Sequence, residues 1–397
     1  MCHNIYSMAN VYIGGWFQRT TLHLSEIFDF LDNAKSPLPL DQQKLRMLHD
    51  GLEVKEVFFN SARLDYLELF TIAGLRLRVF EDGLMLMNFD KLDDPVVASR
   101  TIKNFYEKKW SPAISYLFSL GAPVPKELAG IVEIYPFFVV MDSAGQEDIN
   151  KLFKKFKQTK HHEVKKPGFE LYRGDNLYVL NRLSQPLSDI EDLIGEQIFI
   201  REFKSQLHRY LDLHRWIWEK IAEVKERGKI SGKEVGTFKE EVEGYGKTIN
   251  LIGTRLNQMG AYIDTRGHIA RGKPSFSDFV DLLDYKYDTL VDTLDYTKHI
   301  WEMTKNYVES AIGLFSAIQA KSTEASVKNL AVITSMGVGA TLLGLFTQKP
   351  PTFSWFGVGY FVVLAAIGYF TDRFMKYMYG RRLYKIKDIA ASKIAER

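Results

Sequence analysis

The sequence predicts an α+β membrane protein. An N-terminal α/β cytoplasmic domain with a mixed sheet is followed by a helical layer, and then by a long stalk helix that continues into the first of two C-terminal transmembrane helices. Three observations lead to this prediction. Short β-rich segments alternate with helical ones up to about residue 185, the pattern after Pro186 is helical, and uncharged segments occupy 329–348 and 350–371. At 1.5 Å per residue, each uncharged segment can cross a hydrocarbon layer of about 30 Å.

Composition narrows the class of protein before any motif is considered. A chain of 397 residues fits two or three domains, and its 25% charged and 46% hydrophobic residues exclude a disordered, collagen-like or purely coiled-coil protein. The formal net charge of +3 gives no support to a nucleic-acid partner. Because Cys2 is the single cysteine, a disulfide-stapled fold and a thiolate metal site are excluded, and a reducing compartment suits the chain.

The α/β domain, 1–185, is predicted from apolar alternation and from turn residues. Two hairpins turn at Asp82-Gly83 and at Gly174-Asp175, and the apolar segment 131–141 is typical of a strand buried on both faces. The predicted strands are 10–17, 53–60, 64–72, the two arms of 75–89, 131–141 and the two arms of 169–180. The predicted helices are 20–34, 95–120 and 144–157.

The remaining boundaries follow from helix breakers and from charge. Glycines interrupt the helical pattern at 228–232 and at 267–274, and the last helix starts with Ser275 or Ser277 as its N-cap. About 70 residues of helix without a breaker would measure about 105 Å. The predicted divisions are a helical layer (186–274), the stalk (275–328), transmembrane helix 1 (329–348), an outer loop (349–353), transmembrane helix 2 (354–372) and a basic tail (373–397).

Charge around the two spans predicts the topology. The tail carries eight Lys or Arg residues against two acids, whereas the loop between the spans carries only Lys349. The positive-inside rule therefore places both termini in the cytoplasm, in a two-span protein of the cell membrane. No N-terminal signal segment is visible in residues 1–20. A buried helical hairpin in a soluble core is the alternative interpretation of the two segments.

An acidic stripe runs along the stalk. Its members keep to one helical face, at steps of three or four residues, and His299 and Glu302 continue the series. The acidic stripe is Asp278, Asp281, Asp284, Asp288, Asp292 and Asp295. A solvated face is the simple interpretation. In an oligomer the same stripe would surround the approach to a pore and concentrate cations, and carboxylate oxygens suit Mg²⁺, Ca²⁺ and Mn²⁺.

The first span carries one polar seam. Thr334, Thr341 and Gln348 are seven residues apart, and Val327 precedes them in the same phase. Two helices cannot enclose an ion path, so a pore requires a symmetric homo-oligomer. The alternative is that the threonines bond back to their own helix backbone.

This layout resembles the CorA superfamily of divalent cation channels and transporters, strongly over 276–385 and only in architecture before that. The segments TEASVKNLAVIT (323–334) and GYFVVLAAIG (359–368) agree with it locally. The resemblance implies a funnel-shaped homopentamer in the lipid bilayer, with regulatory metal bound between neighbouring cytoplasmic domains near Asp288 or Asp292. The metal candidates are Asp281, Asp284, Asp288, Asp292 and Asp295. The implied pore lining is Glu324, Val327, Leu330, Thr334, Val338, Thr341 and Gln348.

The sequence departs from that superfamily where ion selection would occur. The family's Gly-Met-Asn signature is replaced, in an ungapped register from Lys328, by Gln348, Lys349 and Pro350. Gln348 offers an amide carbonyl in place of asparagine, whereas Lys349 would place five positive charges at the mouth of a pentamer. The same register puts Gly313 where magnesium channels of the family carry a pore-facing aspartate.

The function therefore has two interpretations of different classes. The first is a cation channel, with a divalent ion such as Mg²⁺ as substrate or regulator and no organic cofactor. The second is a membrane-anchored scaffold or regulatory protein that conducts no divalent cation. Passage of an anion is a further possibility that Lys349 alone suggests.

The sequence contains no Ser/His/Asp or Cys/His arrangement and no HExxH motif, so no enzyme is predicted. The basic segment 154–166 is interpreted as a solvated loop, with phospholipid or nucleic-acid contact as the lesser alternative.

Overall fold

The computed structural model describes residues 9–17, 23–92, 94–117, 137–274, 276–346 and 383–386, with nine single positions between 355 and 381. The side chains of Asp281 and of most residues from 328 to 346 are outside that description. The chain divides into two compact units. The first comprises Met1–Leu211 with Leu251–His299, and the second comprises Asp212–Asn250 with Ile300–Arg397.

A mixed sheet forms the centre of the first unit, as predicted. Within the described residues it has nine strands in the order β2-β3-β4-β5-β1-β6-β9-β8-β7. Strands β6 and β9 run parallel, and the other neighbouring pairs are antiparallel. The strands are β1 (Ala9–Trp16), β2 (Val54–Asn60), β3 (Tyr66–Thr71), β4 (Arg76–Phe80), β5 (Leu84–Leu92), β6 (Phe137–Asp142), β7 (His162–Lys166), β8 (Phe169–Arg173) and β9 (Leu177–Arg182).

The hairpin between β4 and β5 turns where the sequence predicts it. Gly83 adopts a φ of 90°, which only glycine takes without strain, and the Asp82 carboxylate accepts the Leu84 N–H at 3.1 Å. The second predicted hairpin joins β8 to β9. The predicted strand 131–141 is observed as β6, which begins at Phe137, and its earlier residues are outside the described part.

Short helices cover one face of the sheet and build its core. They are α1 (Leu24–Asn33), α2 (Gln42–Leu52), α3 (Pro95–Phe105), α4 (Ser111–Leu117) and α5 (Gln146–Lys155), with a π-helical turn at Tyr106–Trp110. Ile27, Phe30, Ile102 and Trp110 pack there against Leu77 and other sheet residues. The burial of these side chains is the main free-energy gain of the domain.

Two elements of this domain differ from the prediction. The segment 154–166 is not one solvated loop, because it contains the end of α5 and the edge strand β7. The charged side chains of an edge strand hide the apolar alternation that identifies a half-buried one. Helix α2 was not predicted. It begins after Asp41, whose carboxylate accepts the Gln43 N–H at 2.8 Å, and only Leu45 and Leu52 of its residues are buried.

Three long helices follow the sheet. They are α6 (Leu187–Glu226), α7 (Gly232–Arg271) and α8 (Phe276–Phe346), the last with 71 residues. Gly228 ends the α6 segment at a φ of 65°, and the short strand β10 (Lys229–Ser231) then pairs with β11 (Leu383–Lys385). Ser277 lies inside α8, where its hydroxyl donates to the Pro274 carbonyl at 3.2 Å, so it is not the N-cap.

Among the described residues, no helix combines the length and the apolar composition that crossing a membrane requires. The outer loop lies outside those residues, and so do most residues of the predicted second span and of the basic tail and most side chains of the first span. The domain boundaries proposed from the sequence stay predictions.

Helix α6 packs close to the sheet at Gly14. A Cβ atom there would lie 2.5 Å from the Met85 carbonyl oxygen and 2.7 Å from Cδ1 of Ile198. We therefore expect Gly14→Ala to lower the free energy of unfolding by about 2–3 kcal/mol, because the clash is with backbone. Gly51→Ala is the control, since its Cβ meets nothing within 4 Å in α2, and it should be neutral or stabilising by up to about 1 kcal/mol. Chemical denaturation followed by circular dichroism compares the two. Equal stabilities would contradict this packing.

Candidate functional site

The exposed face of α8 in the first unit carries the candidate cation-binding residues. The buried face of the same helix presents Phe279, Leu283, Tyr287, Leu290 and Leu294, at steps of four, four, three and four residues. This apolar stripe orients α8 against its neighbours and leaves the acidic stripe on the other side. Asp284 and Asp288 have side-chain exposures of 47% and 69%.

The chain itself neutralises part of the acidic stripe. Nε and Nη2 of Arg271 donate to Oδ1 of Asp284 at 3.1 and 2.9 Å, and Nη2 also reaches Oδ1 of Asp288 at 3.5 Å. Lys298 lies 3.4 Å from Asp295. Arg271 therefore contacts Asp288, one of the two positions near which the family resemblance implies a regulatory cation. Exposed pairs of this kind contribute about 1 kcal/mol or less, so a cation could displace the arginine.

Among the described side chains, the predicted metal ligands of one chain do not form a complete site. In the part of the molecule that the structure describes, no group of three or more His, Cys, Asp or Glu side chains is placed to hold a metal ion. Asp284, Asp288, Asp292 and Asp295 are separate positions along the helix, and the side chain of Asp281 is outside the description. Their role as ligands stays a prediction.

The implied pore lining is described at three positions. Glu324, Val327 and Thr334 are exposed on α8 in the second unit. The side chains of Leu330, Val338 and Thr341 are outside the described residues, as are Gln348, Lys349 and Pro350 entirely. The structure therefore leaves the pore lining and the position of the selectivity motif as predictions.

The hydrogen bonds of other threonines in α8 are relevant to the polar seam of the first span. Thr289, Thr293, Thr297, Thr304 and Thr323 each donate to the backbone carbonyl four residues earlier, at 2.7 to 3.0 Å. This is the backbone bonding that the sequence analysis left open as the alternative role for Thr334 and Thr341. A hydroxyl bonded in this way can still accept a hydrogen bond from a hydrated ion.

A buried ionic cluster fixes the acidic stripe to the sheet. Arg266 on α7 donates through Nη2 to Asp82 Oδ1 at 3.0 Å and through Nη1 to Glu196 Oε1 at 3.1 Å. Tyr287 on α8 donates its hydroxyl to the other oxygen of Glu196. The buried ionic cluster is Asp82, Glu196, Arg266 and Tyr287, and it joins the β4–β5 turn to α6, α7 and α8.

Burial and charge oppose each other inside this cluster. Burial disfavours the charged guanidinium, but the carboxylates of Asp82 and Glu196 hold the pKa of Arg266 above its usual range. Burial raises the pKa of the Glu196 carboxyl against the opposing charge of Arg266. Burial, and then the charge of Glu196, also raises the pKa of Tyr287. Arg266 thus stays charged, and the phenol of Tyr287 stays a hydrogen-bond donor.

The buried ionic cluster was not predicted from the sequence because no local sequence pattern indicates it. Asp82 was assigned only to a turn, and its partner Arg266 lies 184 residues away in a helix of mixed polarity. A weak signal existed in the sequence of α7, where Arg266 follows Met259 and Ile263 by seven and three residues and precedes Ala270 by four, which places it on an apolar helical face. The structure leaves Arg266 only 4% exposed. An arginine at the centre of an apolar helical face requires a buried acid.

Removing the cation of the buried ionic cluster should be costly. We expect Arg266→Met to lower the free energy of unfolding by about 3–5 kcal/mol, because two buried carboxylates lose their counter-ion. The control is Arg271→Met, which breaks only the exposed pairs of the acidic stripe and should change stability by less than about 1 kcal/mol. Urea unfolding of both variants supplies the comparison. Similar small losses for the two would show that the cluster does not hold α8.

His214 forms a separate polar contact in the second unit. The Thr304 hydroxyl donates to the Ile300 carbonyl at 2.8 Å, so it accepts from Nδ1–H of His214, which lies 2.5 Å away. The rings of Trp218 and Trp301 stand edge-on to the imidazole at 5.7 and 6.4 Å. Burial, and then the charge of Arg215, lowers the pKa of His214.

This lowered pKa predicts a pH dependence with a defined sign. The unfolded chain takes up a proton on His214 at a higher pH than the folded chain does. Stability contributed by the neutral imidazole is therefore complete above the unfolded value of about 6.5 and declines as the pH falls below it. We expect His214→Gln to flatten thermal stability between pH 7 and pH 5. The same pH profile in wild type and variant would contradict this assignment.

Comparisons with known proteins gave matches only among solved structures. No protein-family model matches the sequence, and the comparison with curated proteins returned no match. Among solved structures, the chain is similar to the complete CorA magnesium transporter from Methanocaldococcus jannaschii. That match has 12% identity and a TM-score of 0.28, and it covers 63% of this chain and 91% of the other.

Two further structures give matches of the same kind. The soluble domain of CorA from Methanocaldococcus jannaschii matches at 14% identity with a TM-score of 0.20, covering 44% of this chain and 88% of that domain. The full-length CmaX protein matches at 13% identity with a TM-score of 0.26, covering 65% of this chain and 91% of that protein. The CorA structures belong to the superfamily that the sequence resembles. At these scores the matches carry no argument about function.

Proposed function

We propose that the chain is a CorA-like homo-oligomeric membrane channel that passes a metal cation, most simply a divalent ion such as Mg²⁺. One observation carries the proposal. Helix α8 runs without interruption from Phe276 to Phe346, so the helix that bears the acidic stripe also contains most of the uncharged segment 329–348. One continuous helix of this kind would link a cation-attracting surface to the proposed membrane crossing.

The proposed topology follows from charge and length. Both termini lie in the cytoplasm, α8 crosses the bilayer over 329–348, and the second span crosses back over 354–372. The first span lines the pore through Glu324, Val327, Leu330, Thr334, Val338, Thr341 and Gln348. Because two spans cannot enclose an ion path, several copies must assemble, and a homopentamer is the expected assembly. No catalytic role is proposed.

The acidic stripe supplies the proposed cation attraction and its regulation. In one chain, Arg271 satisfies Asp284 and part of Asp288. A divalent cation shared with a neighbouring copy would compete with Arg271 for the same oxygens. The acidic stripe with a bound cation and the stripe without one would then favour different arrangements of the cytoplasmic domains. Gating requires two states of this kind.

The experiment is metal flux into liposomes that contain the purified protein, comparing Mg²⁺, Co²⁺, Ni²⁺, Zn²⁺, Na⁺ and Cl⁻. We expect saturable divalent uptake, reduced about tenfold when Asp284, Asp288, Asp292 and Asp295 are all changed to Asn, because an acidic funnel raises local cation concentration. The matched control changes four exposed acids elsewhere to Gln, at Glu107, Glu147, Glu163 and Glu223. Liposomes that stay tight to every ion, with protein verified as a folded oligomer, would refute transport.

A non-conducting scaffold is the second candidate, and one observation favours it. Lys349 stands where the superfamily places its selectivity motif, and no Gly-x-Asn occurs between residues 329 and 358. Five lysines at a pore mouth would repel divalent cations.

Lys349→Asn separates the two candidates. We expect it to increase Mg²⁺ flux severalfold, because it removes the positive charge at the proposed pore mouth, while Lys321→Asn near the stalk end serves as the charge-matched control. Unchanged flux in Lys349→Asn would mean that this side chain faces away from the ion path.

A further inference from the structure

A group of basic side chains lies between the sheet edge and α8 in the first unit. Lys286 on α8 donates to Oε1 of Gln197 on α6 at 2.5 Å. Arg173 lies at the end of β8, on the strand face from which Phe169 contacts Phe279 of α8 with ring centroids 5.3 Å apart, and its charge acts on Lys286. Its guanidinium lies over the ring of Tyr178, at 5.4 Å. The two basic side chains, Arg173 and Lys286, form one donor group with the neutral amide of Gln197.

Hydrogen-bond donors in this group have no acceptor among the described residues. Nε and Nη2 of Arg173 and Nε2 of Gln197 are buried without a partner. Gln197 is only 7% exposed, and its carbonyl oxygen is already occupied by Lys286. Buried N–H groups are nearly always paired in folded proteins, so three unpaired donors in one group indicate a place for an acceptor.

No described carboxylate compensates the two charges. Residues paired across antiparallel strands share a face, so Arg173 shares its face with His162, its partner in β7. Glu163 and Glu170 occupy the alternate positions of β7 and β8, and Glu170 accepts from the Tyr172 hydroxyl on the opposite face. Burial, and then the charge of Arg173, lowers the pKa of Lys286 to about 8. This is the direction expected when a lysine has no anionic neighbour.

We propose that Arg173, Lys286 and Gln197 form a binding site for a small oxyanion, either inorganic phosphate or the phosphate group of a small ester. The donor set matches that chemistry, since a guanidinium, an ammonium and an amide N–H all donate to an acceptor-only ligand. Strand β7, the neighbour of β8, is one of the two edge strands of the described sheet, so the proposed route of access is past β7. The bound anion would join β8 to α8, and the site is independent of the proposed transport function.

The test is isothermal titration of the full-length protein with inorganic phosphate at pH 7. We expect saturable binding of one phosphate per chain, weakened at least tenfold in Arg173→Gln and in Lys286→Met. Lys165→Gln is the matched control, because it removes one positive charge from β7 on the opposite face of the strand. This variant should bind within twofold of wild type.

A thermal measurement keeps the test decisive if a variant folds poorly. Phosphate should raise the melting temperature of wild type and of Lys165→Gln, and should leave that of Lys286→Met unchanged. Titration with glycerol phosphate then identifies the ligand class. Binding of this ester indicates that the site accepts a phosphorylated small molecule, and no binding indicates that it takes only the free phosphate anion. No saturable phosphate binding up to about 10 mM, or equal binding by wild type and both site variants, would overturn the proposal.

Discussion

The guanidinium of Arg266, held between the carboxylates of Asp82 and Glu196, is the interaction on which the first unit depends. Buried charges are tolerated only with their partners in place, so the β4–β5 turn, α6 and α7 must meet at one point. Tyr287 adds α8 through its bond to Glu196. Because Tyr287 belongs to the buried stripe of α8, this cluster also determines which face of α8 carries the exposed aspartates.

That orientation gives the proposed function its physical basis. The apolar stripe from Phe279 to Leu294 is packed, and the acids on the other side are exposed or paired with Arg271 and Lys298. Since the helix continues without a break to Phe346, the acidic stripe and the proposed membrane crossing belong to the same helix. A change in what neutralises the aspartates would therefore act on the same helix that we propose lines a pore.

Local signals predicted much of the fold and little of the site. Turn residues and apolar periodicity are local properties of a sequence. They correctly predicted the hairpin at Asp82-Gly83, the helix over 144–157 and the helix breaks within 228–232 and 267–274. Strand β7 was missed because its edge position allows charges that hide alternation. The ion pairs Arg266–Asp82 and Arg271–Asp284 were not readable, since spacing along the chain does not reveal which charges meet after folding.

The central claim is that α8 carries the acidic stripe into a membrane, and cysteine accessibility tests it most directly. With Cys2→Ser as background, Lys349→Cys should react with a membrane-impermeant maleimide added to intact cells. Lys321→Cys, at the cytoplasmic end of the proposed span, should react only after permeabilisation. If both cysteines need permeabilisation, or if both react in intact cells, α8 does not cross the bilayer between them and the channel proposal fails.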